Sequence, residues 1–304
     1  MGKVKPFSTR RQGSAALTVA QAVEAFLERD WSEHTLRNFA SDLKRFHEAF
    51  GKRRVDRVGP TELKSYLEGL LTRRGPVKQP VSVQTYNRHY GTLNNLFGWL
   101  ERREELEGNP MRQVERRRMG ERLPRPMTQQ QVGAFFARLE STRDKALFSL
   151  LYGSGLRISE ALGLDIEDVR LEEREFRVVE KGNRERIGYL AEDTIKLLRR
   201  YLRERGRPRQ GPLFESRHGA RLSYAMTWRL FRRYADGLEK NDQPLTIHQL
   251  RHTFGSERAG QMDSMILRDL MGHKSLRTTQ QYAQVNGESV KKAFKAFDLQ
   301  RSRS

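Results

Sequence analysis

Between Arg112 and Arg125 six arginines, Arg112, Arg116, Arg117, Arg118, Arg122 and Arg125, crowd together with Pro124 and Pro126, and no apolar residue recurs at a helical or strand period. A run of this kind has nothing to bury against a core, and its like charges repel, so it is predicted to be an extended basic linker over residues 112–126. The chain must then fold as two units around it. At 304 residues, either flank is long enough to bury a core of its own.

Residues 1–16 carry Lys3, Lys5, Arg10 and Arg11 among turn formers and read as a basic flexible arm. Thr18 opens a helical pattern through Val19, Val23, Phe26 and Leu27, and Ser32 opens a second through Leu36, Phe39, Leu43, Phe46 and Phe50. Pro60, at a first-turn position, starts a third through Leu63, Tyr66, Leu67 and Leu70. A fourth runs from about Ser82 through Tyr86, Leu93, Leu96, Phe97 and Leu100, with Asn109-Pro110 as its expected stop. Four amphipathic helices over residues 17–111 describe a small bundle domain.

Lys and Arg number 58 against 38 Asp and Glu, a formal net charge of +20. A surplus of that size points to a polyanionic partner, nucleic acid first. On the polar faces of the bundle stand Arg37, Lys44, Arg45, Lys64, Arg88 and His89; with the linker arginines Arg116, Arg117 and Arg118, the candidates for DNA contact are Arg37, Lys44, Arg45, Arg88 and those three. Taken singly, each is equally a solvated surface charge. The chain has no cysteine, which removes disulfides and thiolate metal sites. No apolar run approaches the roughly 18 to 20 residues of a membrane span, and Met1 to Ala16 lacks the apolar core of a signal peptide. The expectation is a soluble cytoplasmic, nucleoid-associated protein with no membrane partner.

The second unit opens with a capping box, Thr128-Gln129-Gln130-Gln131, followed by Val132, Phe135, Phe136 and Leu139. A further helix carries Ala146 to Leu151 and ends at Gly153 and Gly155, just before Arg157. Phe176 to Val179 and Arg186 to Leu190 read as short strands around Lys181-Gly182-Asn183, a hairpin with a lysine at its tip. Helices are expected again at Glu192 to Arg205 and at Ser223 to Gly237, the latter with Tyr224, Trp228, Leu230 and Phe231 as core. The predicted class is mainly α, a four-helix bundle followed by a mainly helical domain over residues 127–304 with a small antiparallel sheet.

The stretch Thr246 to Val285 holds the chemistry. With Thr246 as N-cap, His248 and Arg251 fall three apart at the start of a helix and project from one face, where the helix N-terminus already favours an anion. That is a phosphate site in outline. Tyr282 stands nine residues past His273, after the polar run Arg277-Thr278-Thr279-Gln280-Gln281, where a phenol can serve as a nucleophile. His248 and His252 are four apart like zinc ligands, but Gln249 occupies the place of the glutamate that a zinc protease needs, and no metal or other cofactor is expected. His252 reads as a structural histidine.

Ser154-Gly155-Leu156-Arg157-Ile158-Ser159-Glu160, the hairpin Lys181, His248-Gln249-Leu250-Arg251, Gly272-His273 and Tyr282 together resemble the tyrosine recombinases, the phage-integrase and Xer-like site-specific DNA recombinases. The resemblance implies a catalytic set of Arg157, Lys181, His248, Arg251, His273 and Tyr282. In it the two arginines grip the nonbridging oxygens, the histidines add hydrogen bonds or manage protons, Lys181 is the general acid and Tyr282 forms a 3′-phosphotyrosyl link. It also implies a core-binding domain of SAM-like type over residues 17–111, no need for metal or ATP, and a tetramer on two copies of a double-stranded recombination site, with a second related recombinase as a possible partner. The tasks open to such a protein are chromosome-dimer resolution and the integration or excision of an element. Two other readings share these residues: a type IB topoisomerase, and an architectural DNA binder with a silent site. The segment Glu288 to Leu299, with Val290, Ala293, Phe294 and Phe297 on one stripe, packs on its own domain or, as the resemblance implies, is exchanged with a neighbouring protomer.

Overall fold

The computed structural model describes residues 17–72, 80–120, 124–180, 184–238, 243–272 and 279–280. The arm 1–16, Lys181, His273, Tyr282 and the segment 288–299 lie outside the described residues. The chain divides into two compact units, Met1–Glu121 and Arg122–Ser304.

The first unit is the expected set of four helices, α1 (Val19–Leu27), α2 (Glu33–Phe50), α3 (Pro60–Leu71) and α4 (Val83–Arg102). Their starts follow from the local chemistry. The Thr18 hydroxyl accepts the Gln21 amide while the Gln21 side chain reaches back to Thr18, Pro60 fills the first turn of α3, and Ser82 accepts from Thr85. Phe26, Leu43, Phe46, Leu63, Leu67, Leu96 and Phe97 are fully buried between them. Edge-on ring pairs, Phe26 with Trp99 at 5.6 Å and Phe46 with Tyr66 at 5.4 Å, lock the helix faces together.

Three features depart from the sequence expectation. α4 ends at Arg102, and Asn109 instead caps a short 3-10 turn, Pro110–Gln113, its Oδ1 accepting the Met111 amide at 2.9 Å. The first half of the expected linker is also folded. Met111 and Val114 are buried in the bundle core, and the Asn87 side chain pairs with the backbone of Arg117, donating to its carbonyl at 2.9 Å and accepting its amide at 3.1 Å. Two apolar residues three apart and one amide side chain that imitates a strand partner are enough to dock a segment whose arginines all point outward. The division between the units accordingly falls at Glu121 and Arg122, inside the segment read as linker. His89, expected on a polar face, is buried beside Asp42, with Nε2 3.3 Å from Oδ1. Burial holds its pKa below the usual histidine value, Asp42 pulls the other way, and Arg88 and Arg45 add to the lowering.

The second unit runs α5 (Gln129–Ala137), α6 (Thr142–Ser154), α7 (Ile158–Gly163), β1 (Val169–Arg170), β2 (Glu175–Glu180), β3 (Arg184–Tyr189), α8 (Glu192–Glu204), α9 (Tyr224–Ala235), α10 (His248–Arg258) and α11 (Ser264–Met271). α6 is buried on most of its sides, with Ala146, Leu147, Phe148, Leu150 and Leu151 enclosed, because it is the central helix against which α8 and α10 pack. On α9 the expected core residues Tyr224 and Trp228 are 56% and 47% exposed; the buried stripe is Thr227, Phe231 and Tyr234. The two stripes share Phe231, and the aromatic weight of the wrong one hides the register.

The three strands form an antiparallel sheet in the order β1-β2-β3, with Phe176 opposite Gly188 and Val178 opposite Arg186. β1, two residues long, carries no periodic signal of its own. Phe176 lies across Gly188 so closely that a Cβ there would stand 2.1 Å from the ring. Gly188→Ala is therefore expected to cost about 1 to 3 kcal/mol through overpacking, a fall of several degrees in Tm. Gly133→Ala, on α5 with open space around it, should leave Tm unchanged or raise it. Thermal unfolding of the two full-length variants checks both; an unshifted Gly188→Ala would mean that Phe176 can turn aside freely.

Candidate active site

Arg157 is placed by two local devices. α6 ends in Gly155 at φ +64°, and a Cβ at that position would meet the Phe254 ring of α10 at 2.4 Å, so only glycine lets the chain turn here against α10. Two residues on, Arg157 stands at the N-cap of α7, where its amide donates to Glu160 Oε2 at 2.8 Å. The same carboxylate takes Arg157 Nη1 at 2.5 Å on its other oxygen. Arg157 Nη2 donates to the Gly272 carbonyl at 3.0 Å, and the side chain stays 40% exposed. It is a charged fork held at one edge and open at the other.

Arg251 lies on the first turns of α10 and is 3% exposed. Its Nη1 donates to the Gly155 carbonyl at 2.5 Å and its Nη2 to the Met271 carbonyl at 2.7 Å. The start of this helix differs from expectation in one respect. Ile247, not Thr246, is the cap residue and no side chain caps it; Thr246 gives its own amide to Gln249 Oε1 at 2.5 Å. His248 is exposed on the same helix, its ring 4.5 Å from that of His252 in an edge-on pair. The surrounding protein, then Arg251, then Arg157 hold His248 below the ordinary histidine pKa, and burial, His248 and Arg251 bring His252 down to about 4. Both imidazoles are neutral at pH 7, so His248 can take a proton beside two permanent cations.

The structure thus brings three of the six sequence-derived site residues, Arg157, His248 and Arg251, to one place. A cleft of about 580 Å³ opens beside Arg157, lined also by Ser159, Glu160, Asp168, Val178 and Gly272. His273 follows Gly272 directly in the chain, beyond the described residues as are Lys181 and Tyr282. Sequence reasoning passed over two members. Glu160 is the carboxylate that holds Arg157. Arg186, on β3, donates to the Leu270 carbonyl at 2.6 Å and lies 3.4 Å from Glu160 Oε2. The signal for Arg186 was available, because period-two alternation puts it on the buried side of the hairpin.

In the first unit, Arg37 pairs with Glu33 at 2.6 Å and is 73% exposed, and Lys44 is exposed. Arg88 lies 2.7 Å from Asp42, whose other oxygen accepts from Thr92 at 2.9 Å, and Arg45 is half-buried. Arg116, Arg117 and Arg118 are exposed; Arg117 also reaches Glu68 at 3.3 Å.

Comparison with known proteins fits this arrangement. Residues 125–289 match the profile of the Phage integrase family, and residues 24–104 that of the Phage integrase, N-terminal SAM-like domain. The tyrosine recombinase XerC of Thermodesulfovibrio yellowstonii is 32% identical over 277 residues, covering 86% of this chain and 88% of the relative. Among solved structures, the Tn1549 transposon integrase in complex with transposon right end DNA superposes with a TM-score of 0.71 at 20% identity, over 88% of this chain and 94% of that one. A lambda integrase tetramer bound to a Holliday junction gives 0.71 at 17% identity, over 88% and 77%. At these identities the two structures speak for the fold.

The depressed pKa of His252 has a measurable consequence. Unfolded, the ring binds a proton near pH 6.5; folded, only near pH 4. The unfolded chain therefore binds more protons between those values, and stability is full above 6.5 and lost as the pH falls toward about 4. His252→Gln should flatten the fall of Tm between pH 6.5 and 4, measured by thermal unfolding across that range; an equal slope in both proteins would show that other groups carry it.

Proposed function

The chain belongs to the phage integrase family and is a tyrosine recombinase of the Xer and integrase type, an enzyme of site-specific DNA recombination, and from that premise we propose that it cuts and rejoins strands through Tyr282. The observation that carries the reading is the convergence of Arg157 and Arg251. They come from separate elements, yet each sends one Nη2 to adjacent carbonyls, Gly272 and Met271, with neutral His248 beside them. A trigonal-bipyramidal phosphorus places its charge on the nonbridging oxygens, and two fixed planar forks suit that charge.

In the proposed step the Tyr282 oxygen bonds to phosphorus while its proton passes to the neutral imidazole of His248. The bond from phosphorus to the 5′-oxygen breaks as Lys181 gives that oxygen a proton, and His273 adds a hydrogen bond to the phosphate. The 3′-phosphotyrosyl ester keeps the energy of the original diester, so attack by another 5′-hydroxyl reverses the step without metal or ATP. Arg37, Lys44, Arg45 and Arg88 of the first unit and Arg116 to Arg118 hold the phosphate backbone of a duplex carrying a specific site. Four protomers act on two such sites, in dimer resolution or in movement of an element, on the nucleoid in the cytoplasm. The lambda integrase tetramer supports the assembly, and no described helix is long and apolar enough to cross a membrane.

A nicked suicide duplex in EDTA tests the chemistry, because the departing 5′-fragment diffuses away and religation fails. Wild type should leave a denaturation-resistant adduct and Tyr282→Phe none, with duplex binding intact; an adduct that persists in Tyr282→Phe, or maps to Tyr189 or Tyr224, defeats the assignment. DNA contact by the linker arginines is tested by salt. Neutralising Arg116, Arg117 and Arg118 together should weaken binding to any duplex and reduce the slope of log affinity against log salt by up to about 3, at roughly 0.9 for each phosphate no longer neutralised. An unchanged slope would leave those three arginines a solvated surface of the first unit.

A further inference from the structure

We propose that Arg186 is a positioning residue for the phosphate clamp: it ties the carboxylate that orients Arg157 to the carboxyl end of α11, where Arg251 is also anchored. The inference rests on the clamp reading of Arg157 and Arg251 and adds to it a residue outside the six. Arg186 stands in the middle of β3, Cα-paired with Val178, on the side of the hairpin that faces the protein, and its side chain is only 10% exposed. A guanidinium is rarely placed in such a position without directed contacts, since its donors must be met when water is removed.

Two of those contacts are directed at the clamp. Nη1 gives a 2.6 Å hydrogen bond to the Leu270 carbonyl, in the last turn of α11, and Nη2 lies 3.4 Å from Glu160 Oε2. That Glu160 oxygen also accepts the Arg157 amide, and its twin accepts Arg157 Nη1. Arg157 and Arg251 meanwhile hold the next two carbonyls, Gly272 and Met271. One planar fork therefore spans the distance between the carboxylate that aims one clamp arginine and the helix end on which both are anchored. Lysine cannot replace it, because one ammonium at the end of a flexible stem lacks the rigid pair of donors aimed two ways. Without Arg186, Glu160 loses one of its two cations, the Leu270 carbonyl loses its donor, and the aim of Arg157 loosens.

Misplacement of a catalytic group by about 1 Å costs on the order of 100-fold in rate, and removal of a partner behind it about 10- to 100-fold. The full-length protein is assayed in single turnover on a suicide duplex carrying the site read from DNA bound to Tyr282. Arg186→Gln should cleave about 10- to 100-fold more slowly at saturating duplex, with its affinity within about twofold of wild type. Arg186→Lys, which keeps the charge and stem and serves if the glutamine variant fails to fold, should also be slow; a wild-type rate for it would show that charge alone matters and overturn the proposal. A methylphosphonate at the scissile position carries one negative charge fewer and depends less on the clamp, so the gap between wild type and Arg186→Gln should shrink there. A gap of unchanged size would place the defect elsewhere and defeat the idea. Glu160→Gln combined with Arg186→Gln should be no slower than the slower single variant, whereas multiplied losses would show independent action and overturn the link. If wild type forms no adduct, the clamp reading itself has failed; if wild type reacts and Arg186→Gln matches it, only the present inference has.

Discussion

Three carbonyls at the end of α11 organise the catalytic unit. Leu270, Met271 and Gly272 stand where a helix runs out of amides to pair with, and the aligned peptide dipoles leave that end negative. Each is met by an arginine from a different element: Arg186 from β3, Arg251 from α10 and Arg157 from the start of α7. Elements separated by more than 100 residues in the chain are thus brought to one small patch of backbone. Gly272, at φ +62°, turns the chain left-handed so that its carbonyl can join the other two. The arrangement also leaves Arg157 partly exposed while Arg251 is sealed, so the two forks of the clamp differ in freedom although they share an anchor.

The electrostatic division of labour follows from that patch. Arginines remain charged at any pH at which the protein is folded, so the positive field of the site does not titrate. Burial first, and then that field, lower His248 and His252, so that a base is available beside a cluster of cations. A histidine in this position with an ordinary pKa would be charged in much of the population below neutrality and could not accept a proton.

Much of this was legible in the residues. The caps at Thr18, Ser82 and Thr128 and the proline at Pro60 mark helix starts, because they satisfy or remove amides that a helix leaves unpaired. The Gly155 break before Arg157 and the spacing of His248 and Arg251 located half of the expected catalytic set. What escaped depends on contacts distant in sequence. Nothing local shows that Asn87 will pair with the backbone of Arg117, or that Asp42 and His89 will be buried together across two helices. On α9, hydrophobicity favoured Tyr224 and Trp228, but the helix turned Thr227 and Tyr234 inward because the Tyr234 hydroxyl finds buried Asp144 at 2.8 Å. Burial of a tyrosine is decided by a partner for its hydroxyl as much as by its ring.

The chain enters the second unit along the helix that carries half of the clamp. The Met127 amide donates to Thr253 Oγ1 at 2.9 Å, Thr253 donates in turn to the Gln249 carbonyl at 2.7 Å, and the first turn of α5 is held by Glu257 through Gln129 at 2.5 Å. Both attachment points, Thr253 and Glu257, are on α10, the helix of His248 and Arg251. The chain therefore enters the second unit against the helix that bears half of the clamp, with the Met127 side chain buried in the same core as α6. The first turn of the second unit and the phosphate clamp thus rest on one and the same helix.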